Sequence, residues 1–267
     1  MNIFITGATD GIGKQTALEL ALLGHTVFIH GRNPSRLSET KDWILSQAPN
    51  AIIESFKADF ASLQEVKQMA QTFLSKNKPL EVLINNAGVF EKKLTYSAEG
   101  FERTFAINHL AHFYLTYLFL PHLKSQASAR IINVASMAQA TSINFKALNA
   151  ENGYNPYEAY ELSKLCNILF TFKLARKLKD SSITVNTLHP GVIGTKVLYA
   201  GWGMGGSSWH SGAATSIYLA TSPEGSENTG HYYIDKQKSQ AAKAAYILKN
   251  QDTLWKKSLE MCNSTAK

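Results

Sequence analysis

Tyr160 and Lys164 stand four residues apart in Tyr160-Glu161-Leu162-Ser163-Lys164, a spacing that puts both on one face of a helix. A free phenol has a pKa of about 10, too high for a base at neutral pH, and a nearby ammonium favours the phenolate. The pair therefore suits proton exchange with a substrate oxygen. A second constellation lies near the start of the chain, in Thr6-Gly7-Ala8-Thr9-Asp10-Gly11-Ile12-Gly13. Gly7, Gly11 and Gly13 permit a tight turn and a close backbone approach to a pyrophosphate. The helix predicted to start there offers N–H groups and a partial positive charge. A glycine-rich turn alone marks only a turn; a strand before it and a helix after it are the context a dinucleotide needs.

The end of the second predicted strand reads His30-Gly31-Arg32-Asn33, without an acid. A carboxylate there would take the ribose 2′-OH of NAD, whereas an arginine accommodates a 2′-phosphate. The planar fork of Arg32 suits phosphate. The expectation is NADP(H) in preference to NAD(H), with Arg32 and Asn33 at the adenosine end.

These residues need elements to hold them. Short apolar runs (Asn2–Thr6, Thr26–Gly31, Ala51–Phe56, Leu80–Asn85, Arg130–Ala135, Thr184–Leu188) alternate with helical patterns (Gly11–Leu23, Pro34–Gln47, Ser62–Lys76, Ser97–Lys124, Tyr157–Lys179, Ser211–Ala220). A short strand near His231–Asp235 and a helix over about 239–262 end the chain. Strands separated by helix-length crossovers predict one α/β domain over 1–267, a doubly wound parallel sheet with helices on both faces. The carboxyl ends of such strands are where ligands bind.

The TGxxxGxG spacing resembles the short-chain dehydrogenase/reductase family, and further motifs extend the resemblance from Ile3 to about Lys236. Asp59-Phe60 matches the family's adenine-contacting position, and Asn85-Asn86-Ala87-Gly88 its Asn-Asn-Ala-Gly signature. Asn108, Ser136, Tyr160 and Lys164 match its catalytic positions in order. The resemblance implies a Rossmann-type fold and a nicotinamide cofactor. It implies that Tyr160 exchanges a proton with the substrate oxygen while hydride moves between substrate carbon and nicotinamide. Ser136 would donate to the same oxygen. Lys164 would hold the ribose and lower the Tyr160 pKa, and Asn108 would support a water-linked proton path to Lys164. Gly7, Thr9, Asp10, Gly11, Ile12 and Gly13 would cradle the pyrophosphate, with Asn86, Ala87 and Gly88 beside them. Pro190, Gly191, Val192 and Thr195 would lie against the nicotinamide.

Finer detail is similar to the retinol-dehydrogenase-like branch. It lies in Asn108-His109-Leu110-Ala111-His112-Phe113, in Ser163–Phe170, in Leu188-His189-Pro190-Gly191, and in a Tyr160 that follows Ser136 by 24 residues. The inserted stretch and the loop 191–209 are expected to wall the substrate site. Met137, Phe145, Val197, Leu198, Tyr199, Trp202, Met204 and Trp209 make those walls apolar, and Gly201, Gly203, Gly205 and Gly206 would let the loop close as a lid. The expected substrate is an apolar aldehyde/ketone–alcohol pair: retinal-like, lipid-derived or a xenobiotic carbonyl. Reduction of a carbon–carbon double bond in a pigment-like substrate, or a non-catalytic NADP-binding regulator, stays open as an alternative. A homodimer through the helices of Ile107–Leu123 and Tyr157–Lys179 stays open too.

Composition excludes other classes. The 267 residues are 45% hydrophobic and 18% charged, which is globular. Two cysteines make neither a disulfide framework nor a cysteine-rich zinc site. His109 and His112 lack further ligands at supporting spacing, so they are expected to pack rather than bind metal. The formal charge is +7, and more than half lies beyond residue 230 as scattered lysines rather than a nucleic-acid motif. Ile107–Leu123 is too short and too interrupted for a transmembrane helix. With no secretory signal visible, the expected location is cytoplasmic.

Overall fold

The computed structural model describes residues 1–150 and 153–264. Among the described residues, eight strands form one sheet in the order β3-β2-β1-β4-β5-β6-β7-β8. They are β1 (Asn2–Ile5), β2 (Thr26–Gly31), β3 (Ile53–Lys57), β4 (Val82–Asn85), β5 (Ala129–Val134), β6 (Ile183–His189), β7 (Tyr232–Ile234) and β8 (Gln237–Ser239). All neighbours pair in parallel except β7 and β8. The chain winds outward from β1 to β3, then returns to β4 on β1's other side. That reversal opens a crevice above the ends of β1 and β4.

Alternation along each strand feeds two cores. Phe4, Phe28, Leu83, Ile131 and Val185 face one layer, while Ile3, Ile5, Val27, Ile29, Val82, Ile84 and Ile132 face the other. Helices α3 (Leu63–Ser75), α5 (Ala111–Lys124) and α6 (Pro156–Lys177) cover the first face. Helices α1 (Gly11–Leu22), α2 (Pro34–Gln47) and α8 (Trp209–Thr221) cover the second. Side-chain caps set helix starts, among them Asp10 on α1, Asn33 on α2 and Ser62 on α3.

The structure departs from the sequence reading in three places. The helix expected from Ser97 starts only at α4 (Arg103–Phe105), because the Ser97 hydroxyl accepts from the Glu99 and Phe101 N–H groups and bends the chain. A π turn, Ala106–Leu110, then joins α4 to α5. The segment 191–209 is not all loop: Thr195 caps α7 (Lys196–Trp202), and a parallel bridge joins Ile193 to Ser207. A final helix from about 239 is also incorrect. Asp235 and Lys236 take positive φ (48° and 65°) and fold β8 back onto β7. A 3-10 turn, Lys243–Tyr246, follows, and after the short α9 (Pro223–Glu227) that precedes β7 the last helix, α10, runs from Leu248 to Ser264. The last three residues of the expected domain, 265–267, lie outside the described residues.

Helix α10 packs across α5 and α6, the two helices through which the resemblance would pair two copies. Trp255 meets Phe113 at 5.0 Å, and Asp252 accepts from Lys173 and Arg176 at 2.6 and 2.7 Å. Of the tail lysines, Lys238 pairs with Glu224, Lys256 lies near Glu260, and Lys236, Lys243 and Lys249 are exposed. Much of the basic excess is thus a solvated face. Among the described residues no helix is long and apolar enough to cross a membrane.

His30, His109 and His112 are buried, and burial pushes their imidazoles down to about 4, 4 and 3. Below pH 6.5 the unfolded chain takes up protons that the folded chain refuses. Stability present above pH 6.5 is therefore lost as pH falls toward 4, by about 1.4 kcal/mol per pH unit for each histidine. Urea midpoints at pH 7.5, 6 and 5 should fall steadily; an unchanged midpoint would refute neutral burial of the three rings.

Candidate active site

A cleft of about 670 Å³ runs over the carboxyl ends of the strands. Its polar end is the turn between β1 and α1. Gly7 has φ +65°, and a Cβ there would lie 2.7 Å from the Ala87 Cα; a Cβ on Gly13 would lie 2.3 Å from the Gly7 carbonyl oxygen. The turn therefore closes against the β4 end only with these glycines. Asn86 seals it by donating Nδ2–H to the Thr6 carbonyl at 2.9 Å, and the Thr6 hydroxyl accepts from the Asn86 and Ala87 N–H groups at 2.8 and 3.0 Å. The first N–H groups of α1, at Ile12 and Gly13, have no acceptor within the helix. This cradle fits a pyrophosphate. A carboxylate sits beside it, because Asp10 caps α1, but Lys196 (2.5 Å) and Arg36 (3.5 Å) offset its charge.

Of the residues singled out in the sequence, Gly7, Thr9, Asp10, Gly11, Ile12, Gly13, Arg32, Asp59, Phe60, Asn86, Ala87 and Gly88 line this cleft. So do Ser136, Tyr160, Lys164, Pro190, Gly191, Val192 and Thr195. Asn33 does not. Its side chain accepts from the Arg36 N–H at 3.1 Å, because α2 needs a cap there. Asp59 is half committed, its Oδ1 accepting from the Ala61 N–H, and Phe60 stacks on His30 at 4.1 Å. Asn108 is fully buried behind the cleft, where its side chain accepts from the Val89 N–H (2.8 Å) and donates to the Val89 carbonyl and the Ser163 hydroxyl.

Tyr160 and Lys164 rise from α6 into the middle of the cleft. The Ser136 hydroxyl lies close enough to the Tyr160 phenol to favour its ionised form, and the Lys164 ammonium donates to the Val134 carbonyl at 3.1 Å, 5.4 Å from the Tyr160 ring centroid. Burial pushes Lys164 down to about 8. The expectation that Lys164 lowers the Tyr160 pKa does not hold here. Burial of the phenol raises it to about 12, and only the Ser136 hydroxyl pulls the other way. A buried phenol loses more hydration of its anion than these neighbours return.

The Ser136 segment is fixed from three sides, by residues to which the sequence reading assigns no role. His189 Nδ1 accepts from the Met137 N–H (3.1 Å), while the Tyr232 hydroxyl and Gln139 Nε2 donate to the Ser136 carbonyl. His189 is visible in Leu188-His189-Pro190-Gly191; Gln139 and Tyr232 carry no local signal.

The other end of the cleft is apolar. Phe90, Met137, Val197, Leu198, Trp202 and Met204 line it, whereas Phe145, Tyr199 and Trp209 do not. Phe145 packs on the core, Tyr199 is exposed, and Trp209 Nε1–H donates to the Gly194 carbonyl. Trp202 stands edge-on to Tyr160 (5.7 Å) and contacts Phe90 (5.5 Å). The Tyr157 hydroxyl donates to the Gly201 carbonyl at 2.6 Å, which ties α7 down over α6. Gly201 and Gly206 thus serve close packing: their added Cβ atoms would meet the Phe90 ring at 3.2 Å and the Val192 carbonyl at 2.5 Å.

Comparison with known proteins agrees with this geometry. Residues 1–200 match the family model for short chain dehydrogenases. The chain is 41% identical to retinol dehydrogenase 14 of Mus musculus, over 87% of this chain and 77% of that one. It is 37% identical to the polyprenol dehydrogenase of Homo sapiens, over 96% and 83%. An uncharacterized protein from Mycobacterium paratuberculosis superposes with a TM-score of 0.81 at 28% identity, over 98% of this chain and 93% of that one. The chain belongs to the short-chain dehydrogenase/reductase family, in its retinol-dehydrogenase-like branch, and is an oxidoreductase of the CH–OH/C=O pair that uses a nicotinamide cofactor.

Proposed function

We propose that the protein transfers hydride between NADP(H) and an apolar aldehyde or ketone and its alcohol. The observation that carries this reading is one cleft with two unlike ends, a glycine cradle with Arg32 at one and an apolar, aromatic roof at the other, meeting at Tyr160. The bound nicotinamide supplies or accepts the hydride. The glycine turn, with Asn86, Ala87 and Gly88, holds the phosphates, and Arg32 takes the 2′-phosphate. Tyr160 exchanges the proton with the substrate oxygen, and the Ser136 hydroxyl donates to that oxygen as charge develops on it. Lys164 adds positive charge beside them. Phe90, Trp202, Leu198 and Met204 take the apolar body of the substrate and exclude water. The two curated relatives are named for retinol and polyprenol, both apolar alcohols, which supports the same class.

The test is NADPH oxidation in the dark against straight-chain aldehydes, cinnamaldehyde and retinal, with identification of the product. The expected product is the alcohol, and kcat/KM rises with apolar length. A product saturated at a carbon–carbon bond, or no turnover of any aldehyde, overturns the proposal. Trp202→Ala removes the edge contact over Tyr160 and opens the roof. It should lower kcat/KM for retinal about tenfold, an effect of about one buried aromatic contact, and leave NADPH affinity unchanged.

A further inference from the structure

His112 lies within the Asn108–Phe113 segment and does not line the cleft. Its ring is 1% exposed and bridges two parts of the site: Nε2 lies 2.9 Å from the Thr6 hydroxyl and Nδ1 lies 3.0 Å from the Asn108 carbonyl oxygen. The hydrogens can be assigned from the partners. A carbonyl only accepts, so Nδ1 carries the proton. The Thr6 hydroxyl already accepts from the Asn86 and Ala87 N–H groups, so its own proton points to Nε2. One neutral tautomer satisfies both contacts of the ring, the Thr6 proton going to Nε2 at 2.9 Å rather than to the more distant Ile84 carbonyl at 3.5 Å, and burial that pushes the imidazole down to about 3 keeps it neutral.

The same Asn108 carbonyl accepts a second bond, from Asn167 Nδ2 at 2.9 Å. Asn167 Oδ1 then faces His109 Nδ1 (3.3 Å), and His109 Nε2 faces the Ser258 hydroxyl of α10 (2.9 Å). The π turn at Ala106–Leu110 presents this carbonyl to α6, and Asn108's side chain meanwhile holds Val89 at the β4 end. Such irregular turns are common at functional sites.

We propose that His112 is a positioning residue with two separable duties: through Thr6 it fixes the turn that holds the nucleotide, and through Asn108 it fixes the wall beside Tyr160 and Lys164. The assignment of those two regions to nucleotide and substrate rests on the function proposed above. With Asn167, His112 fills both lone pairs of the Asn108 carbonyl, and the polar chain runs unbroken from Thr6 to the terminal helix. Fixing buried polar groups in one arrangement is worth more than any one of the bonds alone.

Two variants separate the duties, because an asparagine amide reaches where Nδ1 stands and a glutamine amide reaches where Nε2 stands. His112→Asn keeps the bond to Asn108 and loses Thr6; His112→Gln keeps Thr6 and loses Asn108. Amide hydrogen exchange on the unliganded protein reads the result whatever the substrate. His112→Asn should speed exchange at Asn86 and Ala87 about three- to tenfold and spare Val89, and His112→Gln should do the reverse. With NADPH and cinnamaldehyde, His112→Asn should weaken NADPH binding by a similar factor at near-normal kcat, and His112→Gln should lower kcat at near-normal affinity. Equal changes at all three amides in both variants, tracking the loss of Tm, or no change in either, would overturn the proposal. A split in exchange with no turnover by the unaltered protein would instead count against the proposed function alone.

Discussion

Tyr160→Phe is expected to lower kcat for aldehyde reduction by two to four orders of magnitude while NADPH affinity stays within about twofold. The size follows from removing the group placed to deliver the proton. The selectivity follows from position, since the phenol lies between the Ser136 hydroxyl and the apolar roof, away from the glycine cradle. The ionisation state adds a sign. With its pKa pushed up to about 12, the buried phenol holds its proton at neutral pH. It is ready to donate to a carbonyl and poorly suited to accept from an alcohol. Reduction should therefore stay near its maximum from pH 6 to 10, whereas alcohol oxidation should rise with pH over the same range. Stopped-flow hydride transfer from NADPH, measured from pH 6 to 10 for the unaltered protein and the Tyr160→Phe variant, checks both statements. Turnover by the variant above a tenth of normal would remove Tyr160 from the proton step.

The strands and most helices are legible in the sequence because each carries its own signal. β1 and β2 are continuous apolar runs, as strands covered on both faces must be, and Asp10, Asn33 and Ser62 announce three helix starts. The cradle is legible as well, since only glycine fits where Gly7 and Gly13 stand. What escapes depends on contacts between distant parts of the chain. Helix α7 lies in a glycine-rich stretch that reads as loop, and it is held by Tyr157, Phe90 and Asp10 from elsewhere. Phe90 looks like any apolar residue after β4 until Trp202 is laid against it. The spacing shows a lysine near Tyr160 and so predicts a lowered pKa. Spacing cannot show how much water the roof removes, and that desolvation decides the direction.

Arg32→Ala should raise the KM for NADPH about tenfold or more and that for NADH less than twofold. Arg32 sits just past β2, at the adenosine end of the cleft. The nearby acids are engaged: Asp59 accepts from the Ala61 N–H, and Asp10 is paired with Lys196 and Arg36. No carboxylate therefore occupies the β2 end to take a ribose 2′-hydroxyl or repel a 2′-phosphate. A hydrogen bond to a charged group is worth about 1.5–3 kcal/mol, or roughly ten- to a hundredfold in affinity. Arg32 is exposed, so solvent screening places the effect toward the lower end. The same screening supplies a second readout: the preference for NADPH should shrink between about 20 and 300 mM salt in the unaltered protein and be nearly flat in the variant, since distant exposed charges are screened beyond about 10 Å at 0.1 M. Arg32→Glu should go further and invert the preference, because its carboxylate would repel the 2′-phosphate and accept from the 2′-hydroxyl. Equal losses for both nucleotides in Arg32→Ala would show that the side chain holds the common part of the cofactor, and would move the source of any preference to Arg36 or Lys196.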